Sequence, residues 1–343
     1  MSAGLSPARA RALLSCVRRA RIVVVGDLIA DEFIYGRIER VSREAPVLIL
    51  RYNATEIVPG GAGNAANNAA ALGARVEVLG VVGKDDAGRR LRASLGARAN
   101  VRGVVTADGY TTPVKTRILA GGVHSAKQQV VRIDRAGSDI TPALARLVER
   151  RLARAIERAD AVIVSDYGGR LVTPDLWRRA LAAARLRPDH RRRGRARPLV
   201  LVDSRYDLAK FTGITACTPN ESEVEALLNV RIDEDRGVLE RAGRTLLGRL
   251  GARAVLVTRG SRGMALFEPD RPTDHIAIVG SDQIADVTGA GDTVIATFTA
   301  ALAAGATFAE AARLANHAGG LVVMKRGTAT VSAEELRRAV NST

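Results

Sequence analysis

The chain has 343 residues, of which 47% are hydrophobic, 26% charged and only 3% aromatic. That balance excludes a disordered chain and allows a large core of Ala, Val and Leu, which favours helix-covered parallel sheet over a β-sandwich. A formal charge of +16 suits nucleic acid, phosphorylated substrates or anionic surfaces as partners, whereas no apolar run reaches the roughly 18 residues of a membrane span.

Taken in order, the chain opens on an expected helix over residues 7–19, with Ser6 as N-cap and Leu13, Leu14 and Val17 inward. Residues 21–26 then form a continuous apolar run ending in Gly-Asp, the pattern of a strand buried on both faces. Similar short strands are expected at 76–82, 161–164, 199–202 and 254–258, separated by helical stretches such as 64–72, 142–159 and 173–184. This alternation predicts an α/β fold: a doubly wound, mostly parallel sheet with helices on both faces. Ligands then bind beyond the carboxyl ends of the strands. Residues 33–52 and 110–134 break the rhythm, being strand-like without intervening helices, and predict a small antiparallel sheet standing over that edge as a lid. The expected layout is an N-terminal helix over 1–20 and one domain over 21–343 carrying the two lid segments.

Cys16 and Cys217 lie far apart and match no metal spacing, so a reducing, cytoplasmic location is expected. The early apolar stretch from Ile22 to Val25 is short and lacks a cleavage pattern, so no signal peptide is read there. Much of the positive charge is one run, residues 185–197, with seven arginines and no interleaved aromatics for bases to stack on. It reads as a solvated loop, and no nucleic-acid or membrane partner is expected.

The strongest chemical signal is Asp286-Val-Thr-Gly-Ala-Gly-Asp292 followed by an apolar helix over 293–303. Glycines at a helix start let backbone N–H groups approach an anion, and the helix dipole adds partial positive charge. A carboxylate at Asp292 is then placed to take a proton from a hydroxyl while Gly289, Ala290 and Gly291 form an anion hole. A tight turn merely capped by Asp292 is the competing reading. A second glycine cluster, Gly60-Gly61-Ala62-Gly63-Asn64, opens the helix to residue 72. Gly61, Gly63 and Ala66 also fit a dinucleotide fingerprint. However, Pro59 should interrupt the strand feeding that turn, and Lys84-Asp85 makes a poor ribose-binding end. Cys217-Thr-Pro-Asn-Glu-Ser-Glu223 precedes a helix, where Asn220 or Ser222 could serve simply as N-cap. Val257-Thr258-Arg259-Gly260-Ser-Arg-Gly263 is a glycine-rich strand end.

In this combination the chain resembles the PfkB carbohydrate kinases of the ribokinase-like superfamily, the two glycine clusters corresponding to that family's two signatures. Asp27, Asp31, Tyr35-Gly36, Arg40, Ser42, residues 44–47, Lys115, Arg117, Gln128-Gln129, Arg132 and Asp134 narrow the likeness. They resemble the kinase half of the bifunctional ADP-heptose synthesis enzymes, and the likeness runs from about residue 22 to 332.

The resemblance implies a ribokinase-like fold that uses ATP and Mg2+ to phosphorylate a sugar phosphate. The acceptor is the anomeric hydroxyl of D-glycero-D-manno-heptose 7-phosphate, with Asp292 as base. It implies that Asn220, Glu221, Ser222, Glu223, Thr258, Gly260 and Gly263 bind ATP, Glu223 reaching magnesium through water. Asp27, Asp31, Gly60, Gly61, Asn64, Lys115, Arg117 and Arg132 hold the sugar phosphate. A monovalent cation between Asp286 and Thr288 and a homodimer joined through the lids belong to the same expectation. Three departures bear on the sugar: an insertion over 121–126, Gly169 with Arg170 where relatives carry a lysine, and Arg205 in place of another lysine. None of the four histidines lies in a His-x-Gly-His sequence, so a nucleotidyltransferase half is not expected in this chain.

Overall fold

The computed structural model describes residues 5–121, 127–185, 197–279 and 286–342. Most of the arginine run and of the 121–126 insertion lies outside the described residues. Helix α1, Pro7–Val17, starts as expected, the Ser6 hydroxyl accepting from the N–H of Arg9, with Leu13, Leu14 and Val17 buried. It ends two residues earlier than predicted.

The body is a nine-stranded sheet. Its strands are β1 (Arg21–Gly26), β4 (Arg75–Gly83), β5 (Val104–Ala107), β8 (Ala161–Asp166), β9 (Leu199–Ser204), β10 (Ala216–Cys217), β11 (Ala254–Thr258), β12 (Met264–Phe267) and β13 (Asp274–Ile276). They lie in the order β13-β12-β11-β10-β9-β8-β1-β4-β5. All pairs from β11 to β5 are parallel, and β12 and β13 add an antiparallel edge. The continuous apolar runs have a simple cause, since successive side chains point to opposite faces and both faces are covered. Ile22 and Val24 of β1 enter one core, Val23 and Val25 the other. The first core packs against α1, α2 (Ala62–Ala71) and the C-terminal helices, and the second against α4 (Pro142–Ile156) and α5 (Pro174–Arg185).

The lid is a separate sheet of four strands in the order β3-β2-β6-β7. They are β2 (Leu28–Val41), β3 (Leu48–Gly61), β6 (Val114–Gly121) and β7 (Gln128–Arg135). Two expectations are corrected here. The sheet is mixed, because β2 and β6 pair in parallel from Ala30↔Val114 to Arg37↔Gly121. Both strands leave the body at its carboxyl edge, β2 directly after β1 and β6 soon after β5, so they run outward side by side. The first lid segment also begins and ends closer to the body than predicted, its strands spanning 28–61, whereas the second begins its strand at Val114, later than the predicted 110. Pro59 stays in the ladder, opposite Ala30, and Gly61 opposite Leu28. An edge strand such as β3 tolerates a proline that an interior strand would not.

Candidate active site

The site forms where α2, the turn after β8 and the last glycine loop meet beneath the lid. Helix α8, Ala290–Ala303, starts from Gly289, whose φ of 77° is the left-handed conformation that suits glycine. A Cβ there would stand 2.3 Å from the amide nitrogen of Asn64. Among the described residues no side chain caps this helix start, and a Cβ on Gly291 would meet nothing within 4 Å. Of the three residues expected to bind an anion, Ala290 has its N–H directed to Val287 O at 3.2 Å.

Asp292, in the first turn, is 3% exposed. Asn64 Nδ2 donates to its Oδ2 at 2.8 Å, and the Tyr167 hydroxyl donates to its Oδ1 at 3.0 Å. Burial pushes the carboxyl up to about 7, with Asp31 adding to the rise, while Asn64, Tyr167 and Lys115 pull against it. The Asn64 amide is itself oriented. Asn68 Nδ2 donates to Asn64 Oδ1 at 3.0 Å, and the Thr293 hydroxyl donates to Asn68 Oδ1 at 3.1 Å. Asn64 thus faces the carboxylate that the sequence assigns as base, as well as the region assigned to sugar.

On the lid side Asp31 is buried on β2. It is held by Arg117 Nη1 at 2.6 Å and by the Thr328 hydroxyl at 3.0 Å. Gly60 lies directly behind, where a Cβ would come within 2.4 Å of the Asp31 carboxylate. Lys115 stands on β6 with its ammonium 5.1 Å from the centre of the Tyr167 ring, and burial lowers its proton affinity. Arg132, on β7, is exposed and forms a two-pronged pair with Asp134 at 2.7 Å. Asp27 is turned inward: one oxygen accepts from the N–H groups of Tyr167 at 2.8 Å and Gly169 at 2.9 Å, and burial raises it to about 6. It fixes the turn after β8, a structural task beside the sugar contact expected of it.

On the opposite side Asn220 caps helix α6, Glu221–Leu228. It forms a capping box in which Asn220 Oδ1 accepts from Glu223 N at 2.8 Å and Glu223 Oε2 accepts from Asn220 N at 3.0 Å. Glu221 is nearly buried and pairs with Arg259, at 2.6 Å, and with Arg262, so it anchors the loop carrying Gly260 and Gly263. Ser222 is exposed. Next to this loop a cavity of about 180 Å³ is lined by Thr258, Gly260, Gly263, Met264, Ile278, Val287, Gly291, Asn316, Gly319 and Val323, among others. Its walls are mostly apolar, and Asn316 Nδ2 donates to Ala277 O at 2.7 Å. The sequence reading missed Met264, Asn316 and Gly319. The one available signal was an amide, Asn316, close to the paired glycines Gly319-Gly320 in the helix Phe308–Val322.

No group of three or more potential metal ligands occurs among the described residues. Burial raises the Glu223 carboxyl, and Asp203 is pushed well above the ordinary range by burial, with Asp292 and Glu223 adding to it. Such crowding of carboxyls fits a divalent cation held through water and phosphate, not an all-protein cage. Asp286 differs. Its oxygens accept from Thr288 N at 2.9 Å and Gly327 N at 3.0 Å, so the backbone engages both.

Comparison with known proteins agrees with this architecture. The model of the pfkB family of carbohydrate kinases matches residues 19–336. The bifunctional protein HldE of Gluconobacter oxydans is 39% identical over 327 residues, covering 94% of this chain and 64% of that protein. HldE of Geobacter sulfurreducens is 42% identical over 316 residues, covering 92% and 61%. The chain therefore spans less than two thirds of the length of these relatives. Arabidopsis thaliana ribokinase complexed with ribose and ATP matches with a TM-score of 0.68 at 19% identity, covering 94% of this chain and 98% of the other. Escherichia coli phosphofructokinase-2 with fructose-6-phosphate matches with a TM-score of 0.72 at 19% identity, covering 94% and 99%. At that identity the structural likeness speaks for the ribokinase-like fold. The chain belongs to the pfkB family of carbohydrate kinases and is a sugar kinase.

Proposed function

We propose that this kinase transfers the γ-phosphate of ATP to the anomeric hydroxyl of a sugar phosphate, D-glycero-D-manno-heptose 7-phosphate, giving the 1,7-bisphosphate. The observation that carries the reading is the position of Asp292. It is buried and clamped at a helix start, between a mostly apolar cavity and a lid bearing Lys115 and Arg117. The HldE relatives support the heptose phosphate in particular.

The cavity beside Met264 and Asn316 suits an adenine ring, with the Thr258–Gly263 loop and Asn220 toward its phosphates. Mg2+, when bound, neutralises phosphate charge, and Glu223 is the residue to hold it through water. In the transfer Asp292 takes the proton of the acceptor hydroxyl. The bond from that oxygen to the γ-phosphorus forms as the bond to the β,γ-bridging oxygen breaks. The open backbone at Gly291 faces the charge on the moving group. A carboxyl titrating near 7 is well matched to this task at neutral pH. The reading is tested by following ADP release with the heptose phosphate. Faster turnover of a free sugar or a nucleoside would support the alternative, a kinase for another acceptor on the same fold.

The partner we propose is a second copy, joined lid to lid. β7 is exposed along its length, and Val41, Val47, Tyr52, Val131 and Ile133 are exposed on the lid. An isolated four-stranded sheet also leaves two edges unpaired. Light scattering is expected to give about twice the 36.3 kDa chain mass, and Ile133→Glu to shift it toward the monomer. A wild-type monomer at micromolar concentration contradicts the pairing.

A basic regulator that keeps the fold but binds nucleic acid is the reading from outside the enzyme class. Replacing the arginines of the 191–197 run by serine should leave kinase kinetics near wild type. Steep salt-dependent binding to DNA or RNA, lost in that variant, would instead favour the regulator.

A further inference from the structure

We infer that Tyr167 is the positioning residue of the base. Its hydroxyl donates to one oxygen of Asp292 while its ring forms the shelf on which the lid cation Lys115 rests, so the base is oriented for proton abstraction beneath the lid. The inference rests on Asp292 being the base.

Tyr167 sits on a turn built to hold it. Its N–H donates to Asp27 Oδ2 at 2.8 Å, and the N–H of Gly169 donates to the same oxygen at 2.9 Å. Gly168 N donates to Asp166 Oδ1 at 2.9 Å, and the Ser204 hydroxyl donates to Asp166 Oδ2 at 2.7 Å. Three backbone N–H groups of the turn, Tyr167's own among them, are thus held by Asp27 and Asp166, and Ser204 orients the Asp166 carboxylate. The Tyr167 O–H to Asp292 Oδ1 distance is 3.0 Å, and Asn64 donates to the other oxygen, so both carboxylate oxygens are held. Two cations approach the ring, Lys115 at 5.1 Å and Arg205 at 5.9 Å from its centre. Burial beside Asp292 and Asp203 raises the phenol well above its usual range, so it stays a donor throughout neutral pH.

The charges acting on Asp292 come from several elements. The lid strands contribute Asp31 and Lys115. Asp292 in turn raises Asp203, at the end of β9, while Arg205 beside it acts on Tyr167, and Glu223 acts on Asp203 from α6. The Asn64 and Tyr167 hydrogen bonds favour the charged carboxylate, and the Lys115 charge adds to them.

The test compares wild type with Tyr167→Phe and with 3-fluorotyrosine at 167, using ATP and the sugar phosphate that the wild type turns over. Phenylalanine keeps the ring and the cation shelf but removes the donor. The acidic limb of kcat against pH should therefore move up by about one to two pH units, since a hydrogen bond to a charged group has that strength. Turnover should fall about tenfold or more below the limb and recover to within about threefold above it, with KM for ATP unchanged. The more acidic fluorinated phenol should move the limb the other way, which a merely structural role would not do. Ionisation of the substrate phosphate is common to all three proteins and cancels. A limb that stays in place in both variants overturns the assignment. If Tyr167→Phe does not fold, the fluorinated protein alone decides. Asp292→Asn, measured alongside, separates the two readings: near-normal turnover there rejects the base itself, whereas collapsed turnover with an unmoved limb in the Tyr167 variants rejects only the role of Tyr167.

Discussion

Replacing Asp292 by asparagine is expected to lower turnover by about 10²–10⁴-fold, the usual range for loss of a general base. Asparagine keeps the size of the side chain. Its oxygen can still accept from Asn64, and the Tyr167 hydroxyl can turn to accept from the new amide, so the local geometry survives. ATP affinity should be largely kept, because Asp292 does not line the cavity beside Met264. The same change should stabilise the fold at alkaline pH. Asp292 titrates at about 7 in the folded protein, above the ordinary aspartate value of roughly 3.9. The folded state therefore binds this proton more tightly than the unfolded chain, and the stability from it is lost as pH rises through about 7. Asparagine carries no such penalty. Its Tm should exceed that of the wild type at pH 8, with the gap narrowing toward pH 5. Asp27, raised to about 6, contributes equally to both proteins. Near-normal turnover, or a Tm gap independent of pH, contradicts the role given to Asp292.

Lys115→Met should erase most of the preference for a phosphorylated acceptor. Lys115 is half-buried under the lid, its charge disfavoured by burial and by Arg132 and Arg205, and supported by Asp31 and Asp134. A cation so placed gains from an arriving dianion. By contrast, Arg117 is already engaged by Asp31 and Arg132 by Asp134. A charge-assisted hydrogen bond contributes about 1.5–3 kcal/mol. We therefore expect kcat/KM for the sugar phosphate to fall about 10–150-fold in Lys115→Met, with little change for the free sugar and none in KM for ATP. Equal losses for both acceptors would mean that Lys115 supports the lid and does not read the phosphate.

The parts of this molecule legible in sequence are those fixed by short-range pattern. Strands β1, β4, β8, β9 and β11 announce themselves because burial on both faces demands unbroken apolar runs, and Ser6 announces a helix because its cap is local. The family signatures at residues 60–64 and 286–292 are local too. What the sequence hides depends on tertiary pairing. The parallel match of β2 with β6 joins residues more than eighty positions apart, and it follows from where each strand leaves the body. Tyr167 lies 125 residues from Asp292, and nothing in its own neighbourhood points to that contact. Glu221 reads as a nucleotide contact until Arg259 and Arg262 are seen on either side of it. Asn316 is one polar residue among several in its helix, and only the fold places it in a cavity with Met264.

The most direct measurement is a transfer assay with γ-labelled ATP against a panel holding D-glycero-D-manno-heptose 7-phosphate, its unphosphorylated form, ribose, fructose, fructose-6-phosphate and a nucleoside. Phosphorus NMR of each product then locates the new phosphate. We expect the heptose phosphate to have the highest kcat/KM, with the label on its anomeric oxygen and none transferred by Asp292→Asn above about one per cent of wild type. A free sugar or a nucleoside turned over better than any sugar phosphate, or a label found on another oxygen, would contradict the proposed substrate and leave only the family assignment.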